Sequence, residues 1–355
     1  MPVSQEEHVL VSSSISHICQ ELTRQFFSRS EVVCEPEHFS QAESLLFSQG
    51  VVNLSDEPSY GVWENSADPE HLHLSLTLLR LIGRSNAALG LSMHRNALVK
   101  QLVVDFQDHQ RFSLCLHGHQ GIGRHALCSW WQQGFIDPLL IDCFDNQQRR
   151  LSIGASGSPI VYPVFSADTS NPSGLCWWIA PPPSGKSPGM GLDELCYSYF
   201  TPESGQPLPS QSIPSRHFWH QEWLGLLAIQ LGCVDAAEQR ASQYANLRYQ
   251  GGALIRQHAA VQALLNDIHL AQRQTSQFLH TQSLEADAFG SLLLARNHLQ
   301  QLLSVAINAA MQILGGVGYM QDSGIEKLLR DCTQLRLQSG GPLDMQSLAA
   351  TWETT

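Results

Sequence analysis

Hydrophobic residues recur at helical spacing in the first third of the chain. Between residues 6 and 29 the apolar positions follow the period of an amphipathic helix, and between 74 and 106 they do so more regularly. Gly83 and Gly90 interrupt the second stretch. Because glycine weakens a helix interior, this stretch is predicted to form one long helix or two shorter ones.

The middle of the chain has a different pattern. Residues 112–200 are rich in Gly, Pro, Ser, Trp and Cys, and short apolar runs at 139–144, 159–165 and 175–180 lie between turn-forming residues. Short apolar runs bounded by turn formers are typical of strands, so a small β domain is predicted here. Residues 201–215 have no periodicity and are predicted to be a linker or a long surface loop.

Helical spacing returns from Glu222 onward. We predict a single long helix over 222–246, a second helix that begins near Val261, and a third from about Phe289 to Leu314. The third should end at Gly315, since glycine can take the left-handed conformation that terminates helices. The predicted domains are therefore helical for 1–108, β for 109–215 and helical for 216–355.

Composition and charge exclude some classes of partner. The chain has 32 acidic and 20 basic residues, a formal net charge of −12, and no Lys/Arg-rich run. Nucleic acid and anionic membranes are therefore not expected as partners. No secretory signal and no apolar run of about 18 residues is evident, so we expect no membrane span. The nine cysteines include no CxxC pair, which favours reduced thiols in a cytoplasmic protein.

A glycine-rich segment near the C-terminus carries a specific motif. Residues 310–331 read AMQILGGVGYMQDSGIEKLLRD, which resembles a segment of acyl-CoA dehydrogenases: a Gln-x-x-Gly-Gly-x-Gly-Tyr turn followed by a helix that ends in Arg-Asp. Residues 231–262, GRSNAALGLSMHRNALV from Gly83, and GMGLDELCYSYF from Gly189 resemble further blocks of that family. The positions that match in the first block are Gln312, Gly315, Gly316, Gly318, Tyr319, Arg330 and Asp331.

This resemblance implies a helical domain, a small β-barrel domain and a C-terminal four-helix bundle, usually in a homotetramer. It implies FAD bound between subunits, with Arg248 at the pyrophosphate, Gln312 and the Gly315–Gly316 turn toward the adenine, and Gln346 at the last turn. It further implies α,β-dehydrogenation of an acyl-CoA or acyl-carrier-protein thioester, with electron-transfer flavoprotein as a partner. A carboxylate base and the flavin share that chemistry.

The usual catalytic glutamate of the family is missing. Its position falls on Ser339 or Gly340, within LQSGGPLDMQ, and neither residue is a base. Some members of the family use a glutamate near the start of the long helix instead, and Glu222, nine residues before Leu231, matches it. Glu222 is thus the candidate base; alternatively it is an acid in a first helical turn that stabilises the helix dipole. The next residue is Trp223, a large ring that would reshape the acyl end of the pocket.

The β domain also departs from the family pattern. LCLHGHQGIGRH, from Leu114, stands in place of the flavin-binding Thr-Glu-Pro-x-x-Gly-Ser-Asp, and Gly157–Ile160 lacks the Trp and Thr of the strand that packs on the flavin. The histidines and cysteines between 115 and 128 do not have the spacing of a standard zinc site. A second hypothesis therefore stays open: a non-catalytic or flavin-poor homologue that binds thioesters or acts as a partner subunit.

Overall fold

A computed structural model describes residues 5–27, 34–52, 60–103, 111–116, 150–165, 175–185, 187, 189–208, 215–342, 345–346 and 349. In chain order its helices α1–α8 are Gln5–Leu22, Pro36–Ser48, Pro69–Ser85, Ala87–Leu102, Ser215–Leu247, Ala259–His280, Ala286–Leu314 and Ile325–Leu337. Strands β1–β8 are Ser113–Leu114, Arg150–Gly154, Ile160–Phe165, Leu175–Ala180, Cys196–Phe200, Gln206–Pro207, Tyr249–Gln250 and Ala253–Leu254. The apolar run at 139–144 lies outside the described residues, and so do the histidines and the cysteine between 117 and 128. Cys115 lies within the described residues.

The predicted helical stretch at 74–106 forms two helices. The break falls at Asn86, whose extended backbone and side-chain oxygen cap the first turn of α4 by accepting from the Leu89 amide. Gly83 and Gly90 lie inside the helices instead. Both face Ile229 of α5, and a Cβ on Gly83 would stand 2.7 Å from the Ile229 carbonyl oxygen. The glycines therefore permit close helix packing and do not end a helix.

Two small sheets form the middle of the molecule. β1, β3, β4 and β6 make one sheet in the order β1-β3-β4-β6, and β2 pairs antiparallel with β5. The predicted runs at 159–165 and 175–180 are confirmed as β3 and β4. The predicted linker over 201–215 is more ordered than expected, since it contains a 3₁₀ turn, Pro202–Ser204, and the short strand β6, which hydrogen-bonds to β4.

The four C-terminal helices, α5–α8, form a bundle that packs against α3 and α4. α5 is a single long helix, as predicted, but it begins at Ser215 and not at Glu222. α7 ends at Leu314, as predicted, but Gly315 has φ 59° with ψ −135° and so does not take the left-handed helical conformation that was expected. The buried residues of α3, α4, α5 and α7 form one hydrophobic core that continues to the β sheets.

One apolar helical segment, Ala288–Tyr319, is long and apolar enough to cross a membrane by length and composition alone. Half of its most apolar window is buried within the molecule, and Arg296 on the same helix is fully buried. A core helix of a folded domain passes the same test, so this segment alone is weak support for a membrane span.

Candidate functional site

Glu222 lies where three parts of the chain meet. Seven residues separate it from the start of α5, which places it about two turns into the helix; it is therefore not an acid of the first turn. Its side chain is fully buried. Oε1 accepts from Arg95 Nη2 of α4 at 3.0 Å and from the Ser339 hydroxyl at 2.5 Å, and Oε2 lies 2.8 Å from His94 Nε2.

The protonation state of His94 follows from its second partner. The indole N–H of Trp63, which can only donate, points at His94 Nδ1 from 2.9 Å. Nδ1 is therefore the acceptor and the ring proton lies on Nε2, from which it donates to Glu222. The neutral imidazole and the Arg95 guanidinium thus both stabilise an ionised carboxylate.

Three donors set the proton affinity of Glu222. Burial raises the pKa of this carboxyl, but the charge of Arg95 and the hydrogen bonds from His94 and Ser339 outweigh burial and hold the pKa well below its ordinary value. A carboxylate base in a purely apolar pocket would instead have a raised pKa. The difference arises because Arg95 places a positive charge on the carboxylate.

Ser339, one of the two residues at which the missing turn glutamate was expected, contacts Glu222 directly. It is fully buried and has a positive φ of 55°, a conformation that costs energy for a residue other than glycine. Its carbonyl oxygen accepts from the Trp223 indole at 3.0 Å. The Trp223 ring is fully buried and stacks on Phe289 with 5.4 Å between ring centroids. Glu222 and one of the two residues expected at the missing glutamate position therefore lie in direct contact.

Sequence reasoning missed Arg95 and His94 as members of this site. Both lie in the block that starts at Gly83, which was noted only for its resemblance to the family. A His-Arg pair within a predicted core helix was the available signal, because charged groups are seldom fully buried without a partner. Arg95 also donates to the Leu114 carbonyl of β1 at 3.3 Å and to Gln338 at 3.0 Å.

The proposed flavin ligands lie at the other end of the bundle. α5 and α7 run in the same direction because α6 connects them, so Arg248, Gln312, Gly315 and Gly316 share one end. From Glu222 to this end, α5 extends about 38 Å at 1.5 Å per residue. Within one chain, the candidate base and these residues cannot reach the same flavin.

These residues suit one exposed half of a nucleotide site. Arg248 and Gln312 are exposed, and the Arg248 guanidinium has no ion pair among the described residues. Apart from the neighbouring residues in the chain, no atom of the described residues lies within 4 Å of the position that a Cβ on Gly315 or Gly316 would take. A free guanidinium, an amide and an open backbone turn match the donors that bind a diphosphate and a base. The β-domain half falls largely outside the described residues.

Gln346 lies apart from that group. It is exposed, and the adjacent Met345 sulfur contacts Arg296 on α7 at 2.8 Å. Arg296 precedes Gln312 by sixteen residues, or about 24 Å along the helix. Gln346 is therefore near the Glu222 end of the bundle and does not join Arg248 and Gln312 within one chain.

The Arg-Asp pair that ends the matched motif ties α8 to the loop before β5. Asp331 accepts from the Leu192 amide at 2.6 Å, and Arg330 donates to Asp193 at 2.5 Å. Lys327 bridges Asp331 and Glu194 at 2.6 and 3.1 Å. These contacts hold the helical bundle against the β region, a structural role for the motif.

Comparison with known proteins agrees with this architecture. The family model "Acyl-CoA dehydrogenase, C-terminal domain" matches residues 217–348. An acyl-CoA dehydrogenase of Bacillus subtilis (strain 168) is 30% identical over 125 residues, which are 33% of this chain and 32% of that protein. The probable acyl-CoA dehydrogenase YngJ of the same organism is 28% identical over 121 residues, again 33% and 32% of the two chains. The matched region thus spans about a third of the length of these relatives.

Solved structures match over the full length. Butyryl-CoA dehydrogenase from Megasphaera elsdenii superposes with a TM-score of 0.67 at 11% identity, covering 100% of both chains. PigA with FAD and proline gives 0.70 at 14% identity, covering 100% of this chain and 99% of PigA, and the prolyl acyl carrier protein oxidase AnaB gives 0.66 at 13%, covering 99% and 100%. At these identities the likeness establishes the fold. The chain therefore has the acyl-CoA dehydrogenase fold, and its residues 217–348 resemble the C-terminal domain of the acyl-CoA dehydrogenase family.

Proposed function

We propose that this chain is a flavin-dependent oxidoreductase that removes hydrogen from the α and β carbons of an acyl thioester, with Glu222 as the base for the α proton. The observation that carries the proposal is the direct contact between Glu222 and Ser339. Both positions can hold the catalytic glutamate in this family, and here only Glu222 carries a carboxylate, so it is the acid at the point where the two positions meet.

The surroundings of Glu222 define what the reaction requires of it. The carboxylate is anionic, as a base must be, but both oxygens are already hydrogen-bonded. To accept a proton, one carboxylate oxygen must lose one of these hydrogen bonds and contact the α carbon of the substrate instead. We assign that exchange to Ser339, since a neutral hydroxyl is held less strongly than the Arg95 guanidinium. FAD, when bound, supplies the acceptor for the hydride.

The separation of the two ends of the bundle supports a site shared between subunits. We propose that Arg248, Gln312, Gly315 and Gly316 of one copy hold the diphosphate and adenine of a flavin that serves the Glu222 end of another copy. The protein should then be at least a dimer and, following the family, a tetramer. The thioester carrier is coenzyme A or an acyl carrier protein, and electron-transfer flavoprotein is the proposed acceptor of the electrons.

A specific observation also favours the second candidate, a homologue that binds no flavin or catalyses no dehydrogenation. Glu222 is completely enclosed and its pKa is lowered, so in this arrangement it is a weak base. The ion pair with Arg95 joins the N-terminal helices to the bundle whether or not a reaction takes place. In that case Glu222 would act only as a structural anion.

The visible spectrum of the purified protein and stopped-flow reduction by a panel of acyl thioesters test both candidates. We expect bound oxidised flavin that is bleached by at least one thioester. The Glu222→Gln variant should keep the flavin but bleach about 10²–10⁴-fold more slowly. Asp267→Asn, the same charge change at an exposed position, is the matched control and should bleach like the wild type.

Each contrary result has a distinct meaning. A yellow wild type that no thioester bleaches would contradict the dehydrogenase proposal. A colourless protein that also fails to bind added FAD would favour the second candidate. Equal bleaching rates for Glu222→Gln and the wild type would place the base elsewhere.

A further inference from the structure

A groove near the C-terminal end of the long helix α5 collects positive charge. It lies between α1, α3 and α5 and has a volume of about 370 Å³. Arg24 from the turn that follows α1, Arg84 from α3 and Arg240 from α5 line it. No Asp or Glu lines it among the residues that the structure describes. In a chain with a net charge of −12 and only 20 basic residues, three arginines around one groove mark a local reversal of charge.

Arg240 is the most informative of the three. It is partly buried, and burial lowers the pKa of its guanidinium with no carboxylate to offset that effect. Its side chain donates one long hydrogen bond, 3.4 Å, to the Ser323 carbonyl, and it forms no ion pair among the described residues. Arg80, one turn of α3 from the groove, is by contrast paired with Asp235 through two hydrogen bonds. A partly buried cation without a counterion loses hydration that no partner replaces, so Arg240 is suited to an anion that the described part of the chain does not supply.

The other groups of the groove are donors that an anion could use. Arg84 is exposed and donates to the Gln239 amide oxygen at 3.0 Å. Arg24 is exposed and pairs with Glu21 at the rim. The remaining polar side chains of the lining are neutral: Ser16, Gln20, Thr23, Ser85 and Gln243. Guanidinium groups bind phosphate oxygens through paired hydrogen bonds, and several such groups fit an anion with several oxygens.

We propose that this groove binds a small molecule that carries a diphosphate group. Three guanidinium groups offer more hydrogen-bond donors than a single carboxylate ligand can accept. The volume of the groove lies within the range of small-molecule sites. Arg240 lies eighteen residues after Glu222 on α5, about 27 Å along the helix, so the groove is separate from the candidate base. The inference does not depend on the proposed dehydrogenation.

The diphosphate could be free or part of a nucleotide. Isothermal titration of the full-length protein with inorganic pyrophosphate and, separately, with adenosine diphosphate identifies the source. Saturable binding of both with equal affinity would make the diphosphate alone the recognised group. Tighter binding of adenosine diphosphate would place a nucleoside in the rest of the groove. Absence of saturable binding of either probe would overturn the proposal.

Two variants locate the binding. Arg240→Met and Arg84→Gln should each weaken pyrophosphate binding at least about tenfold, the loss of one charge-assisted contact, whereas Arg256→Gln, an exposed arginine outside the groove, should bind like the wild type. Equal binding by the wild type and both groove variants would refute the assignment.

A stability measurement gives an independent check on Arg240. Without added anion, Arg240→Met should melt at the same temperature as the wild type or higher, since it removes a buried charge that lacks a partner. Pyrophosphate should raise the melting temperature of the wild type but not that of the variant. A lower melting temperature of the variant in anion-free buffer would mean that Arg240 already has its counterion.

Discussion

The Glu222→Gln substitution should destabilise the protein strongly, whatever its effect on catalysis. Glutamine keeps the shape of glutamate but replaces one acceptor oxygen with an NH₂ group. If the remaining oxygen faces Arg95 and Ser339, the NH₂ group faces the Nε2–H of His94. His94 cannot move that proton to Nδ1 without placing it against the Trp63 indole N–H. In every arrangement that keeps these contacts, two hydrogen-bond donors therefore face each other.

The magnitude follows from what remains buried. The Arg95 side chain is only 3% exposed, and Glu222 is the carboxylate that pairs with it. Removing one partner of a buried pair typically costs about 3–5 kcal/mol. Total stabilities of folded domains are about 5–15 kcal/mol, so this loss should be plain in urea unfolding followed by circular dichroism. Asp267→Asn should change the free energy of unfolding by no more than about 0.5 kcal/mol.

The pH dependence has a defined sign. The folded-state pKa of Glu222 lies below its ordinary value, so its stabilising contribution is present above the unfolded pKa, about 4.3, and is lost as the pH falls further. The stability difference between wild type and Glu222→Gln should be largest near pH 7 and should shrink below about pH 4.3. A difference under about 1 kcal/mol at pH 7, or one that grows on acidification, would refute the inferred ion pair.

A double-mutant cycle separates pairing from simple loss of contacts. Arg95→Gln alone leaves the Glu222 carboxylate buried without its cation and should also be destabilising. The double variant Arg95→Gln/Glu222→Gln has no buried charge at this site. Its destabilisation should be smaller than the sum of the two single effects by about 0.5–3 kcal/mol; an additive result would mean that the two side chains do not interact.

Three further changes test other parts of the structure. Gly232→Ala would place a Cβ 2.2 Å from the Arg80 carbonyl oxygen, so thermal unfolding should show a loss of about 1–3 kcal/mol; an unchanged melting temperature would contradict the close approach of α3 and α5. Arg248→Ala should release flavin on dialysis while the circular dichroism spectrum stays the same, because it loses a charge-assisted contact worth about 1.5–3 kcal/mol; equal retention would place Arg248 outside the flavin site. Lys327→Met leaves the Asp331 carboxylate buried without its ammonium. Burial raises the pKa of Asp331, so urea unfolding of this variant should show stability falling as the pH rises above about 3.9; a pH-independent loss would exclude that cause.

The local pattern of apolar residues predicted which segments are helices and which are strands, but it predicted their first and last residues less well. The spacing of apolar residues predicted the long α5 helix, and turn formers around 159–165 and 175–180 predicted β3 and β4. Helix α5 begins at Ser215, within the segment predicted as a linker, because its first turns bury Phe218 and Trp219 in the core. Gly83 suggested a helix break from the sequence. In the structure it lies inside a helix and allows close packing against Ile229 of α5.

The sequence by itself determined the order of helical and β segments, the family resemblance of the C-terminal bundle, and the presence of Glu222 with serine or glycine at the usual glutamate position. Only the tertiary structure decided that Ser339 contacts Glu222, and that Arg95 neutralises the carboxylate. The physical reason is that spacing along the chain fixes which face of a helix a residue occupies. The pKa of a buried group depends instead on charges that other segments bring to it, and Arg95 is 127 residues away from Glu222 in sequence.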